Sequence, residues 1–156
     1  MMVRWPGVVR PGSTCDVPVI GTDMMPTLCE IAGVEPAPDR PLDSVSIVPL
    51  FKGKTIDRDS LVWHFPYYHP PPGYEGTTPQ SAIRQGDFKL LYFYEEDRTE
   101  LYDLSRDPDE QHDLSRSDPQ RMKAVRRALS DWLEAVGARH PTERGTQKPV
   151  RIRGGR

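Results

Sequence analysis

A chain of 156 residues holds one domain, or one small domain with a piece of another. Its apolar share is 36%, its mean hydropathy −0.65, and it carries 17 prolines, so it reads as a polar, loop-rich chain rather than one apolar globule. No run approaches the roughly 20 apolar residues of a membrane span, and no charged stretch followed by an apolar run marks a signal peptide.

The net charge of −2 is unevenly spread. From Ala138 onward six Arg and Lys face one acid, Glu143, so the end of the chain is basic and residues 1–137 are acidic. Residues 138–156 lack apolar periodicity and are expected to be a disordered basic tail. No aromatic or amphipathic element accompanies those charges, so neither a nucleic-acid nor a membrane partner is expected. The two cysteines, Cys15 and Cys29, form neither a metal-ligand pattern nor a disulfide framework.

The first residues, Met1 to Gly7, read as an internal stretch of a longer chain, with Met1–Arg4 as a strand ended by Pro6-Gly7. A short helix follows over Thr22–Gly33. Thr22 or Asp23 can cap it, Pro26 fits its first turn, and Gly33 stops it. Residues 34–59 hold five breakers and read as a connector with one ordered patch at Val45–Phe51.

No proline occurs from Gln80 through Asp107, and this window is where a sheet is expected. Leu61–Phe65, Ser81–Arg84, Phe88–Tyr94 and Glu100–Leu104 are strand candidates, with Gly86-Asp87 as a tight turn between the second and third. Ser117 to Gln120 fits a capping box. Met122, Val125, Leu129, Trp132, Leu133 and Val136 then make the apolar face of a helix that ends at Gly137. The pattern predicts an α+β fold: a small antiparallel sheet of about four strands covered on one face by a C-terminal amphipathic helix.

Catalytic patterns are missing. The chain has no Gly-x-Ser-x-Gly elbow, no Gly-rich phosphate loop, no His-Glu-x-x-His and no Cys-x-x-Cys. Asp107-Pro108-Asp109-Glu110 lacks the alternating spacing of a calcium loop and reads as a turn. The segment Trp63 to Tyr74 is the most unusual. It places His64 and His69 among five aromatic residues at a strand exit, a composition suited to sugar rings, which are apolar on one side and polar on the other.

Several segments, taken in order, resemble the C-terminal part of a sulfatase of the alkaline-phosphatase-like superfamily, of arylsulfatase type. They are Arg4-Trp5-Pro6-Gly7-Val8-Val9, Pro11-Gly12-Ser13 and Asp23-Met24-Met25-Pro26-Thr27-Leu28, followed by Pro49-Leu50-Phe51-Lys52-Gly53. Later come Ala82-Ile83-Arg84-Gln85-Gly86-Asp87-Phe88-Lys89-Leu90, Glu100-Leu101-Tyr102-Asp103-Leu104 and Asp107-Pro108-Asp109-Glu110 leading to Asp113-Leu114. The likeness implies that residues 1–58 are the strand–helix remnant and connector of a large α/β catalytic domain. Residues 59–137 are then the small C-terminal subdomain.

The resemblance also implies a sulfuric ester hydrolase that, when whole, uses a formylglycine made from the Cys or Ser of a Cys/Ser-x-Pro-x-Arg sequence, with calcium. Cys15 has its proline one place late and no arginine, and Cys29 has neither. No catalytic residue and no metal ligand is therefore carried over, and the chain by itself is expected to be inactive and to bind no cofactor. Trp63-His64-Phe65-Pro66 resembles a segment that approaches the substrate pocket in bacterial members. Trp63, His64 and His69 are accordingly the substrate-binding candidates, for a sulfated small molecule or carbohydrate.

Two alternatives stay open. One is a noncatalytic sugar-binding or partner module that completes a separately encoded large domain. The other is a relative acting on phosphate or phosphonate esters. The sequence assigns no compartment.

Overall fold

The computed structural model describes residues 1–39, 42–68, 77–143, 145–146 and 148–152. The described chain divides into two compact units, Met1–Arg58 and Asp59–Arg156.

The first unit is built around one short helix. A 3-10 turn, Gly21–Asp23, leads into α1, Met24–Ala32, and Gly33 closes it with φ 66°, a left-handed conformation that glycine adopts without a Cβ clash. A second short helix, α2, spans Val48–Phe51 within the expected ordered patch. The expected strand at Met1–Arg4 is absent, and no strand is found among the described residues of this unit. A strand needs a hydrogen-bonding neighbour, and this segment turns instead through Val8 and Val9 amides donating to the Trp5 carbonyl.

Polar links hold this unit together. Asp23 is fully buried, and its carboxylate accepts from the Ile20 amide at 2.9 Å and from Arg58 Nη1 at 2.9 Å. Arg58 Nη2 makes the second arm of the pair. The buried Thr27 hydroxyl donates to the Asp23 carbonyl and accepts from the Ile47 amide at 3.0 Å. Helix capping by a Thr22 or Asp23 side chain is not observed, because the Asp23 carboxylate is turned toward Arg58.

The second unit is the α+β body. Strands β1 (Leu61–Phe65), β2 (Gln80–Gln85), β3 (Phe88–Phe93) and β4 (Arg98–Asp103) form an antiparallel sheet in the order β1-β2-β3-β4. The β2–β3 turn is the expected Gly86-Asp87, with Gly86 at φ 58° and Gln85 opposite Phe88. Helix α3, Pro119–Ala135, follows. Its cap is Asp118, one place after the expected Ser117. The Asp118 carboxylate accepts the Arg121 amide at 3.0 Å, and Pro119 takes the first helical position.

The strand period of two sorts the sheet's faces. Ile83, Leu90, Tyr92 and Leu101 share the face that is buried with Val125, Leu129 and Leu133 of α3. Fully burying one such aliphatic side chain stabilises by roughly 1.5–3 kcal/mol. Ile152 also belongs to this core, with Ala138 and Val150 packed against it. Ile152 lies within the segment that the sequence reads as a basic tail, and it is buried with the sheet.

Candidate functional site

The two sequence candidates among the described residues, Trp63 and His64, face opposite sides of the sheet. His64 lies opposite Ser81 on β1, on the face shared with Ile83 and Leu90. Trp63 lies opposite Ala82 and projects to the other face, 43% exposed. Consecutive strand residues must diverge in this way. His69 falls outside the described residues. Just before His69, Phe65 and Tyr67 stack edge to face at 6.2 Å, and the Tyr68 hydroxyl donates to Glu95 at 2.6 Å.

His64 is the centre of a polar cluster that sequence reasoning missed. Its Nε2 is 2.6 Å from the Arg139 carbonyl oxygen, and its Nδ1 is 2.7 Å from Ser81 Oγ. A carbonyl only accepts, so Nε2 carries a proton, and in the corresponding tautomer Nδ1 accepts from Ser81. Ser81 Oγ in turn takes the Tyr94 hydroxyl at 2.9 Å. Ser81 and Tyr94 are buried, and burial pushes the Tyr94 phenol up against the opposing Ser81 hydrogen bond. The His140 ring lies edge-on to His64 at 6.3 Å, and its buried Nδ1 has no partner among the described residues. Strand alternation could have found Ser81 beside His64. Nothing in the sequence pattern could have placed Arg139 and His140 there.

The described residues include no group of three or more His, Cys, Asp or Glu able to hold a metal ion. Cys15 is exposed and Cys29 half-buried, and both are free thiols. The five-residue pattern Cys/Ser-x-Pro-x-Arg does occur once in its serine form, at Ser117-Asp118-Pro119-Gln120-Arg121. The structure gives four of its five residues other roles. Ser117 Oγ donates to the Leu114 carbonyl, Asp118 caps, Pro119 opens α3, and the Arg121 guanidinium lies 4.4 Å over the Phe88 ring. These residues do not fit a metal-assisted nucleophile.

The family description "N-sulphoglucosamine sulphohydrolase, C-terminal" matches residues 1–139. This chain belongs to that sulfatase family. A sulfatase of Formosa agariphila is 36% identical over 118 residues, which cover 69% of this chain and 21% of the relative. An N-acetylglucosamine-6-O-sulfatase of Bacteroides thetaiotaomicron is 32% identical over 69% of this chain and 19% of its own length.

Among solved structures, a protein in complex with its substrate D-glucosamine-2-N,6-O-disulfate superposes with a TM-score of 0.71 at 26% identity, over 84% of this chain and 27% of that one. Another, in complex with k-i-k-neocarrahexaose, gives a TM-score of 0.62 at 25% identity over 82% and 27%. The sulfatase chain thus spans about a fifth of the curated relatives it matches. Sulfatases of this kind imply formylglycine and a metal in the intact enzyme, and the described residues here offer no set that fits the metal. No helix among the described residues is long and apolar enough to cross a membrane.

Proposed function

We propose that this chain is the C-terminal portion of a sulfuric ester hydrolase acting on a sulfated carbohydrate. It contributes the small subdomain and one wall of the substrate pocket, and the reacting groups come from elsewhere in the intact enzyme. The observation that carries this reading is the family match over residues 1–139 in a chain whose two cysteines depart from the nucleophile pattern and whose one serine match, at Ser117, is taken up by the start of α3. Relatives named for glucosamine sulfates support the substrate class.

Within the wall, the structure favours different roles for the candidates. Trp63 offers an exposed indole, which suits the apolar side of a sugar ring. His64 spends both ring nitrogens on its own chain, so here it acts as a positioning residue that fixes the edge strand.

The isolated chain is expected to show no turnover of a generic aryl sulfate. Metal-dependent turnover that tracks the purified protein would overturn that part. When the chain is joined to a sulfatase α/β domain, Trp63→Ala is expected to lower kcat/KM about tenfold, a loss of roughly 1.4 kcal/mol, with the melting temperature unchanged. Unchanged kinetics sink the pocket-wall assignment.

The exposed Trp63 and Tyr67 also suit a noncatalytic sugar-binding module. That reading predicts sulfate-dependent binding of glucosamine disulfate by the isolated chain. Calorimetry with sulfated and unsulfated glucosamine separates the two.

A further inference from the structure

The segment after α3 returns across the sheet edge and pins itself there. Arg139 accepts from His64 through its carbonyl. The Val150 amide donates to the Pro141 carbonyl at 2.7 Å, Thr142 bridges Pro149, and Ile152 is buried in the core. The family match stops at residue 139, so most of this strap lies beyond the shared region.

We propose that residues 138–143 and 148–152 form a proton-sensitive strap, docked on β1 while His140 is neutral and released when His140 takes up a proton. The geometry sets the sign. His140 Nδ1 is buried with no partner, so a proton placed there would have no acceptor. The groups facing it are His64 from β1, Glu134 from α3 and Arg151 from the strap itself, and Tyr94 lies behind His64 through Ser81. Burial disfavours the imidazolium, Arg151 and His64 add to this, and only Glu134 opposes, so the docked ring is held below the ordinary histidine range.

In the released strap His140 titrates near pH 6.5. Docking is therefore complete above about pH 6.5 and weakens as the pH falls below it. At pH 5.5 the gain in the open form has a ceiling of about tenfold. Opening separates Val150 from Pro141, removes the Arg139 carbonyl from His64 and uncovers the His64 Nε2. This inference stands apart from the pocket-wall proposal and needs no substrate.

Amide hydrogen exchange on the full 156-residue chain tests it, with rates corrected for the intrinsic pH dependence and Leu90 as an internal reference. Protection of the Val150 amide is expected to fall about fivefold or more between pH 7.5 and 5.5 relative to Leu90. His140→Phe should show less than a twofold change. Constant Val150 protection in the native chain, or the same loss in H140F, overturns the proposal. If H140F loses Leu90 protection and has not folded, the native chain still decides by NMR titration. A His140 imidazole midpoint coincident with the Val150 amide shift supports the strap. His140 titrating while Val150 stays still refutes it.

Discussion

Asp23 shows how one residue can hold a unit that has few buried apolar side chains. Burial alone would raise its carboxyl, but the Arg58 hydrogen bond, the Ile20 amide, the Arg58 charge and the Val45 amide together bring it below the usual range. Breaking a buried pair by removing one partner costs about 3–5 kcal/mol, because the other charge is left without compensation. Asp23→Ala should therefore unfold residues 1–58 while leaving the second unit's far-ultraviolet signal and β3 amide protection intact. The lowered carboxyl also sets a pH window. Its stabilisation is present above the unfolded value near 3.9 and is lost as the pH falls through the folded value. Acid unfolding of this unit below about pH 4 should be blunted in Asp23→Asn, which starts less stable and has no carboxylate to protonate. None of this was legible in the sequence. An aspartate before Met24 reads as a helix cap, and its use as a buried anion depends on Arg58, 35 residues away.

At the scale of elements, the sheet was far more legible than its edges. Alternation and turn chemistry place β1 through β4 to within two residues, because each strand's own sequence carries the pattern. Edge protection is different, since it comes from a loop. Asp113 accepts the Leu101 amide at 3.0 Å, and the Leu114 amide donates to the Leu101 carbonyl at 2.7 Å. The loop thus covers β4, an outer strand that would otherwise present free amides. Burial would raise the Asp113 carboxyl, but the Leu101 and Ser115 amides, the Ser115 hydroxyl and Arg116 hold it low. Asp113→Ala should cost about 1–3 kcal/mol by leaving a strand amide unpaired, read as a fall in the denaturation midpoint with an unchanged slope. The α3 cap tests the boundary correction separately. Asp118→Ala should cost about 1 kcal/mol and Ser117→Ala only a few tenths. Equal losses would return the cap to Ser117.

For the whole molecule, the contrast between the two units matters most. The second unit has a contiguous core beneath α3. In the first, Ile47 and Val48 are the buried apolar residues among those described, while Met25, Leu28 and Val34 are each more than half exposed. The helical spacing of Met24, Leu28 and Ile31 was visible in the sequence, but spacing shows that a face is apolar and not what covers it. A family match across residues 1–139 in a chain spanning about a fifth of its relatives gives that face a physical meaning, since such surface is ordinarily buried in a larger domain. Left in water such a face is expected to drive self-association, and the isolated 156-residue chain should sediment as a concentration-dependent mixture above monomer mass. The double substitution Met25→Lys and Leu28→Lys places charge on the exposed face without touching Asp23, Thr27 or Ile47. It should restore a monomer with the first unit's melting transition unchanged. A native chain that sediments as a sharp monomer at high concentration would show that this face needs no cover, and the reading of residues 1–58 as part of a larger catalytic domain would lose its main physical support.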